Sequence, residues 1–192
     1  VSAPAAFYFD LSSPDAYLAA ERVLSVLPGP AEWQPVLARE MAPERSPVLT
    51  RESELELRER IARRARELEL QPLRWPDPFP FDSTLAMRVA TYAKSIGRVV
   101  PFAQAAFRQA FAGGHSLDDP DYVLIAAAAC EMHPAAVLRG AELRSVERQL
   151  LETTARAART GIDEVPAVVV ADRAFCGEGA LEEAAAHMRE GS

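Results

Sequence analysis

Two serines stand where an apolar stretch gives way to a helical pattern. In FYFDLSSPDAYLAAERV (7–23) the run from Phe7 to Phe9 ends at Asp10-Leu11, and Ser12-Ser13-Pro14-Asp15 follow. Ser13 ahead of Pro14 and Asp15 reads as a cap, a first-position proline and a first-turn acid. The same hydroxyl sits where chemistry is possible. A helix start carries unpaired N–H groups and partial positive charge, which suit an anion. A charge-assisted hydrogen bond to a thiolate contributes roughly 1.5–3 kcal/mol, and a helix end up to ~2 kcal/mol. Lowering a thiol pKa by about two units takes about 2.7 kcal/mol, which the two effects together supply. Capping and thiolate binding are compatible, because the oxygen accepts from the backbone while its proton points outward.

Few other residues combine reactive types with useful spacing. Cys130 and Cys176 are far apart and form neither a disulfide framework nor a metal-ligand pattern. Cys130, in IAAAACEM, reads as core. Cys176 reads either as a small buried strand residue or as a group near the ligand that forms a mixed disulfide. His115, His133 and His187 share no spacing, so no metal is expected. The segment WPDPFPF (75–81) is a stiff, aromatic connector. Its rings either pack into the core or form the wall of a substrate site.

The elements that must position these residues follow from periodicity. Residues 5–11 read as a strand. Pro14 opens a helix with Tyr17, Ala20, Leu24 and Leu27 on its inner face, ended by Pro28-Gly29-Pro30. EWQPVLA (32–38) is a second strand, with Pro35 marking an edge or an end. From about Arg51 to Arg159 the pattern is helical throughout. In the first of these helices Leu57, Ile61, Ala65 and Leu68 face inward. Glu54–Arg58, Glu56–Arg60 and Glu59–Arg63 form i,i+4 pairs on a solvated face. Asp82 caps a helix with Leu85, Val89, Tyr92 and Ile96 inward and Gly97 at its end. Pro101, Asp119-Pro120 and Pro134 begin three more, the last with a break near Gly140. VPAVVVADRAFCG (165–177) reads as an antiparallel hairpin. EGALEEAAAHM closes the chain as a helix with Leu181, Ala184, Ala185 and Met188 on one side. The order β-α-β, helices, β-β-α is that of an α/β thioredoxin-like fold with a large all-helical insertion. The expected units are 1–50 with 160–192, and 51–159.

Composition narrows the functions. The 192 residues suffice for a full core, and the net charge of −7 with interleaved signs argues against nucleic acid as a partner. No apolar run approaches the ~18–20 residues that span a membrane. VSAPAAF lacks the features of a signal peptide, and a cytoplasmic protein is expected. Lys94 is the only lysine and asparagine is absent, which reads as coding bias.

FYFDLSSPDAYLA (7–19), PLRWPDPFPFDSTLAMRVA (72–90) and GIDEVPAVVVADRAFCGEGALEEA (161–184) together resemble the DsbA-like thioredoxin-fold family. Within it they resemble the branch of 2-hydroxychromene-2-carboxylate isomerases and kappa-class glutathione transferases. Dithiol members carry Cys-Pro-x-Cys where this chain has Ser13-Pro14-Asp15-Ala16. Without either sulfur, thiol–disulfide exchange has no attacking or resolving group. A DsbA-type oxidoreductase label would then describe ancestry. The resemblance implies that Ser13, beside Pro14, binds the thiol of glutathione. It also implies a cis Val165-Pro166 bond, with Val165 aligning the cysteinyl part of the cofactor. Branch isomerases show Phe-Trp-Gly-x-Asp-Arg after the last strand, whereas this chain has Phe175-Cys176-Gly177-Glu178-Gly179-Ala180. Glu178 and Gly179 are therefore the expected contacts for the γ-glutamyl end, and Arg39 or Arg45 for the glycyl carboxylate. Trp75, Phe79 and Phe81 are expected to face a small aromatic or unsaturated carbonyl substrate. The implied activity is a glutathione-dependent isomerase or transferase. Dimers are common in the resembling family, so a homodimer is an expectation. The alternatives are a non-catalytic thioredoxin-fold binding protein and a redox protein based on Cys176.

Overall fold

The computed structural model describes residues 5–43 and 50–191. A four-stranded sheet in the order β2-β1-β3-β4 is built from β1 (Ala5–Phe9), β2 (Ala31–Pro35), β3 (Ala167–Val170) and β4 (Arg173–Cys176). β1 and β2 run parallel, joined through α1 (Pro14–Ala20) and α2 (Val23–Val26). β3 lies antiparallel to β1, and β4 antiparallel to β3. The short α3 (Ala38–Met41) follows β2, and α10 (Ala180–Glu190) follows β4. Between the two halves run α4 (Arg51–Glu67), α5 (Thr84–Ser95), α6 (Val99–Phe111), α7 (Pro120–Ala128), α8 (Pro134–Glu142) and α9 (Arg144–Arg159). This is a thioredoxin-like fold carrying a helical insertion. β2 is an edge strand that stops on Pro35, where a missing N–H costs no ladder bond.

Aromatic packing joins the two parts. Phe7 and Phe9 point to one face of β1, opposite Trp33 of β2, with ring centroids 4.9 and 5.6 Å from the indole. Phe107 of α6 meets Phe9 at 5.9 Å, and Phe111 stacks on Tyr17 of α1 at 5.6 Å. These rings are buried, so the insertion shares one core with the sheet. Among the described residues, no helix is long and apolar enough to cross a membrane.

Several helical expectations shift. The helix from Pro14 does not run to Leu27. It breaks at Glu21-Arg22, and Leu24 is 70% exposed while Tyr17, Ala20 and Leu27 stay buried. The break rotates the second turn set, and Arg22 pairs with Glu182 of α10 at 2.6 Å. α5 buries Met87, Val89, Ala90 and Ala93, whereas Ile96 lies past its last turn and is exposed. α6 begins two residues before Pro101. The last helical stretch breaks at Leu143 rather than Gly140. Gly140 instead serves close packing. A Cβ there would lie 2.4 Å from the Tyr92 ring, so only glycine lets α8 approach α5.

The charged face of α4 is not simply solvated. Glu54 and Arg58 pair at 2.6 Å as expected. Arg60 instead leaves Glu56 and reaches α1 and the start of α10, because two carboxylates there offer a bidentate and a third contact.

Candidate active site

Ser13 closes β1 and opens α1. Its φ of −92° and ψ of 117° place it outside the helix, and its Oγ accepts from the Ala16 N–H at 3.1 Å. Buried Pro14 takes the first helical position. The turn ahead of it is held by Asp10, buried at the end of β1. The Asp10 carboxylate accepts from the Ser12 N–H, the Ser12 hydroxyl and the Ala38 N–H, each at 2.9 Å. One side chain thus fixes the serine pair to the start of α3.

Across this turn, the Ser13 hydroxyl donates to the Val165 carbonyl at a long 3.5 Å, and the Val165-Pro166 bond is cis. The two segments line a cleft of about 400 Å³ together with Ser12, Ala38, Arg39, Asp163 and Glu164. A second hollow of about 280 Å³ shares Ser12 and Arg39 with it and continues to Pro80, Phe81 and Asp82. Arg39 therefore stands between them, bonded to the Thr84 hydroxyl at 2.9 Å and paired with Asp82 at 3.3 Å. Hydrogen bonds from Thr84, aided by Arg39, hold the Asp82 carboxyl below the usual range against the opposing effect of burial.

The structure thus brings Ser13, Val165 and Arg39 to one cleft, with Phe81 at its extension. Trp75 and Phe79 are elsewhere. They pack edge-to-face on each other at 4.9 Å and against Phe111, and the Arg58 guanidinium lies 4.8 Å from the Trp75 ring. Glu178 and Gly179 sit at the start of α10 and line neither hollow. Glu178 pairs with Arg64 at 3.2 Å and Arg60 at 3.4 Å. Arg60 also clamps Asp15 through two bonds of 2.8 and 2.7 Å. Arg45 lies outside the described residues.

Cys176 is half-buried in β4. Burial pushes its thiol up, the Asp163 and Glu164 carboxylates add to this, and a hydrogen bond with the Asp163 backbone opposes it. The following Gly177 has φ +82°, and a Cβ there would meet the Glu164 carboxylate at 2.5 Å. Among the described residues, no group of His, Cys, Asp and Glu is placed to hold a metal ion.

Periodicity does not single out Asp10, Ser12, Asp163 or Glu164. The signals that could have found them are local. A strand-end Asp before Ser is a turn signal, and the acids stand directly before Val165-Pro166. Nothing in the helical pattern of α4 marks Arg60.

A parallel β-α-β half and an antiparallel hairpin, joined by helices, with a cis-proline loop beside a helix start, define a thioredoxin-fold protein. The chain belongs to the DSBA-like thioredoxin domain family, whose pattern matches residues 6–189. Its structure is similar to that of a 2-hydroxychromene-2-carboxylate isomerase, with TM-score 0.84 and 17% identity, covering 98% of this chain and 95% of the other. It is also similar to a probable DsbA oxidoreductase from Streptomyces coelicolor, with TM-score 0.72, 17% identity and coverage of 98% and 91%. Pseudomonas aeruginosa DsbA follows with TM-score 0.60, 14% identity and coverage of 98% and 85%. By sequence, no curated protein matches this chain.

Proposed function

We propose that this chain is a thiol-cofactor-dependent isomerase or transferase, with glutathione as the thiol and a small aromatic or unsaturated carbonyl compound as substrate. The observation that carries this reading is Ser13 beside the cis Val165-Pro166 loop on the wall of one open cleft, with no sulfur at Ser13 or Ala16. The cleft also suits a thiol with charged ends, since Arg39 offers a cation and Asp163 with Glu164 an acidic wall.

When bound, the cofactor would supply a nucleophilic sulfur that adds reversibly to a conjugated carbon. The chain's residues do the rest. The Ser13 Oγ–H turns from its long contact with Val165 to donate to the sulfur, favouring the thiolate. Val165 and Pro166 align the cofactor backbone. Arg39 orients an anionic end, and Phe81 gives the neighbouring hollow an apolar wall.

A calorimetric titration with glutathione, paired with turnover of a chromene or chloro-nitroaromatic substrate, tests this. Saturable binding with Ser13-dependent turnover is expected. Absence of binding up to millimolar glutathione overturns it. A second reading, a binding groove without catalysis, is favoured by Glu178 already being paired with Arg60 and Arg64. It predicts binding without turnover.

A further inference from the structure

Away from the Ser13 cleft, α5, α9 and the edge strand β2 enclose a basin of about 460 Å³ that shares no lining residue with that cleft. Its wall carries three cations, Lys94, Arg148 and Arg156. The lining contains a single acid, Glu152, which approaches Arg148 only to 3.9 Å on an exposed surface. Glu32 is near but outside the lining, and Gln34 bonds it at 3.3 Å.

The cations are poorly satisfied by the chain. The Lys94 ammonium has three donors, and Gln34 Oε1 is its one hydrogen-bond acceptor among the described residues. Arg156 has five donors and, among the described residues, bonds only the Thr153 hydroxyl, at 3.3 Å. Burial pulls the Lys94 ammonium down, Glu32 opposes this, and Arg156 adds a smaller pull in the same direction as burial. Gln149 and Ser145 add neutral donors around the same space.

We infer that this basin is a binding site for a small oxyanion of the phosphate type, free or as the end group of a phosphate monoester. Lys94, Arg148 and Arg156 outnumber the acids around it in a chain whose overall charge is −7, so the local field runs against the global one. A bound oxyanion would bridge α5 and α9 to Gln34 of β2, joining the insertion to the sheet edge.

The test is a calorimetric titration of the full chain with inorganic phosphate, with ionic strength held constant by chloride. A parallel titration uses glycerol phosphate. Saturable binding is expected for the wild type. Lys94→Gln and Arg156→Gln should each weaken it about tenfold, equal to about 1.4 kcal/mol, and Ser13→Ala should leave it unchanged. Arg156 is exposed, so its variant carries the test even if Lys94→Gln perturbs folding. Tighter binding of the monoester assigns the site to an ester, and equal binding to free phosphate. Binding that is absent, or identical in the wild type and the Arg156 variant, overturns the inference.

Discussion

The Ser13 hydroxyl lies 3.5 Å from the Val165 carbonyl, although the two residues are 152 positions apart in the chain. That distance is long for an O–H···O bond, whose usual range is about 2.5–3.0 Å. The serine proton is thus weakly held, while its oxygen is firmly engaged as a cap at 3.1 Å. Removing the hydroxyl should have two separable effects. Ser13→Ala should lower unfolding free energy by about 1 kcal/mol through the lost cap. It should cut thiol-dependent turnover by ~10–100-fold, as expected for a lost hydrogen bond to a charged group. Ser13→Thr should restore the stability, and urea denaturation beside initial rates checks both.

Arg60 joins three elements, since it leaves α4 to clamp Asp15 of α1 and touch Glu178 before α10. Arg60→Gln should destabilise the fold by about 1 kcal/mol, the upper end for a partly exposed pair with bidentate geometry. A double-mutant cycle with Asp15→Asn should show coupling that shrinks at high salt. Additive effects of the two changes would show that the clamp contributes nothing.

Cys176 should be a slow nucleophile near neutral pH, because burial and the neighbouring acids keep its thiol protonated beyond the usual range. Its folded pKa is raised, so the unfolded chain loses the proton first as pH rises. The contribution of this group is full below the ordinary thiol pKa and falls as pH climbs from there through the raised folded value. Alkylation of native protein by iodoacetamide should therefore lag behind a free thiol at pH ~8. Rapid labelling, or reduction of insulin, would favour the Cys176 redox reading instead.

Phe81 and Trp75 should respond differently to truncation. Phe81 walls the hollow beside the cleft, so Phe81→Ala should raise KM for an aromatic substrate. Trp75 packs on Phe79 and Phe111, so Trp75→Ala should cost about 3 kcal/mol of stability and leave KM near its original value. Equal KM effects would place both rings at the substrate.

The succession of elements along the chain and the hairpin are legible in the sequence because aromatic alternation, Pro35 and the Val-Pro junction are local signals, whereas the order of strands within the sheet is not. Helix faces are less legible. Periodicity turns Ile96 inward, but the helix ends at Ser95, so Ile96 lies past the last turn and is exposed, while Tyr92 meets Gly140 of α8. Leu24 departs from its pattern for a related reason. A two-residue break at Glu21-Arg22 turns the apolar period by an angle that no residue type announces. At the site, Ser13 and Val165 can be matched as a pair, and Arg39 is one of two alternatives. Which arginine of α4 leaves its i,i+4 partner depends on carboxylates brought in from distant elements, and periodicity carries no such information.

The ring cluster around Trp33 also makes the chain its own optical reporter. Trp33 is sealed in the sheet against Phe7 and Phe9, whereas Trp75, the other tryptophan, is half-exposed on the insertion beneath Arg58. Blue-shifted, quencher-protected emission should come from the sheet, and quenchable emission from the connector. Loosening of the helical part would then change colour and accessibility separately from loss of the sheet, without any label attached.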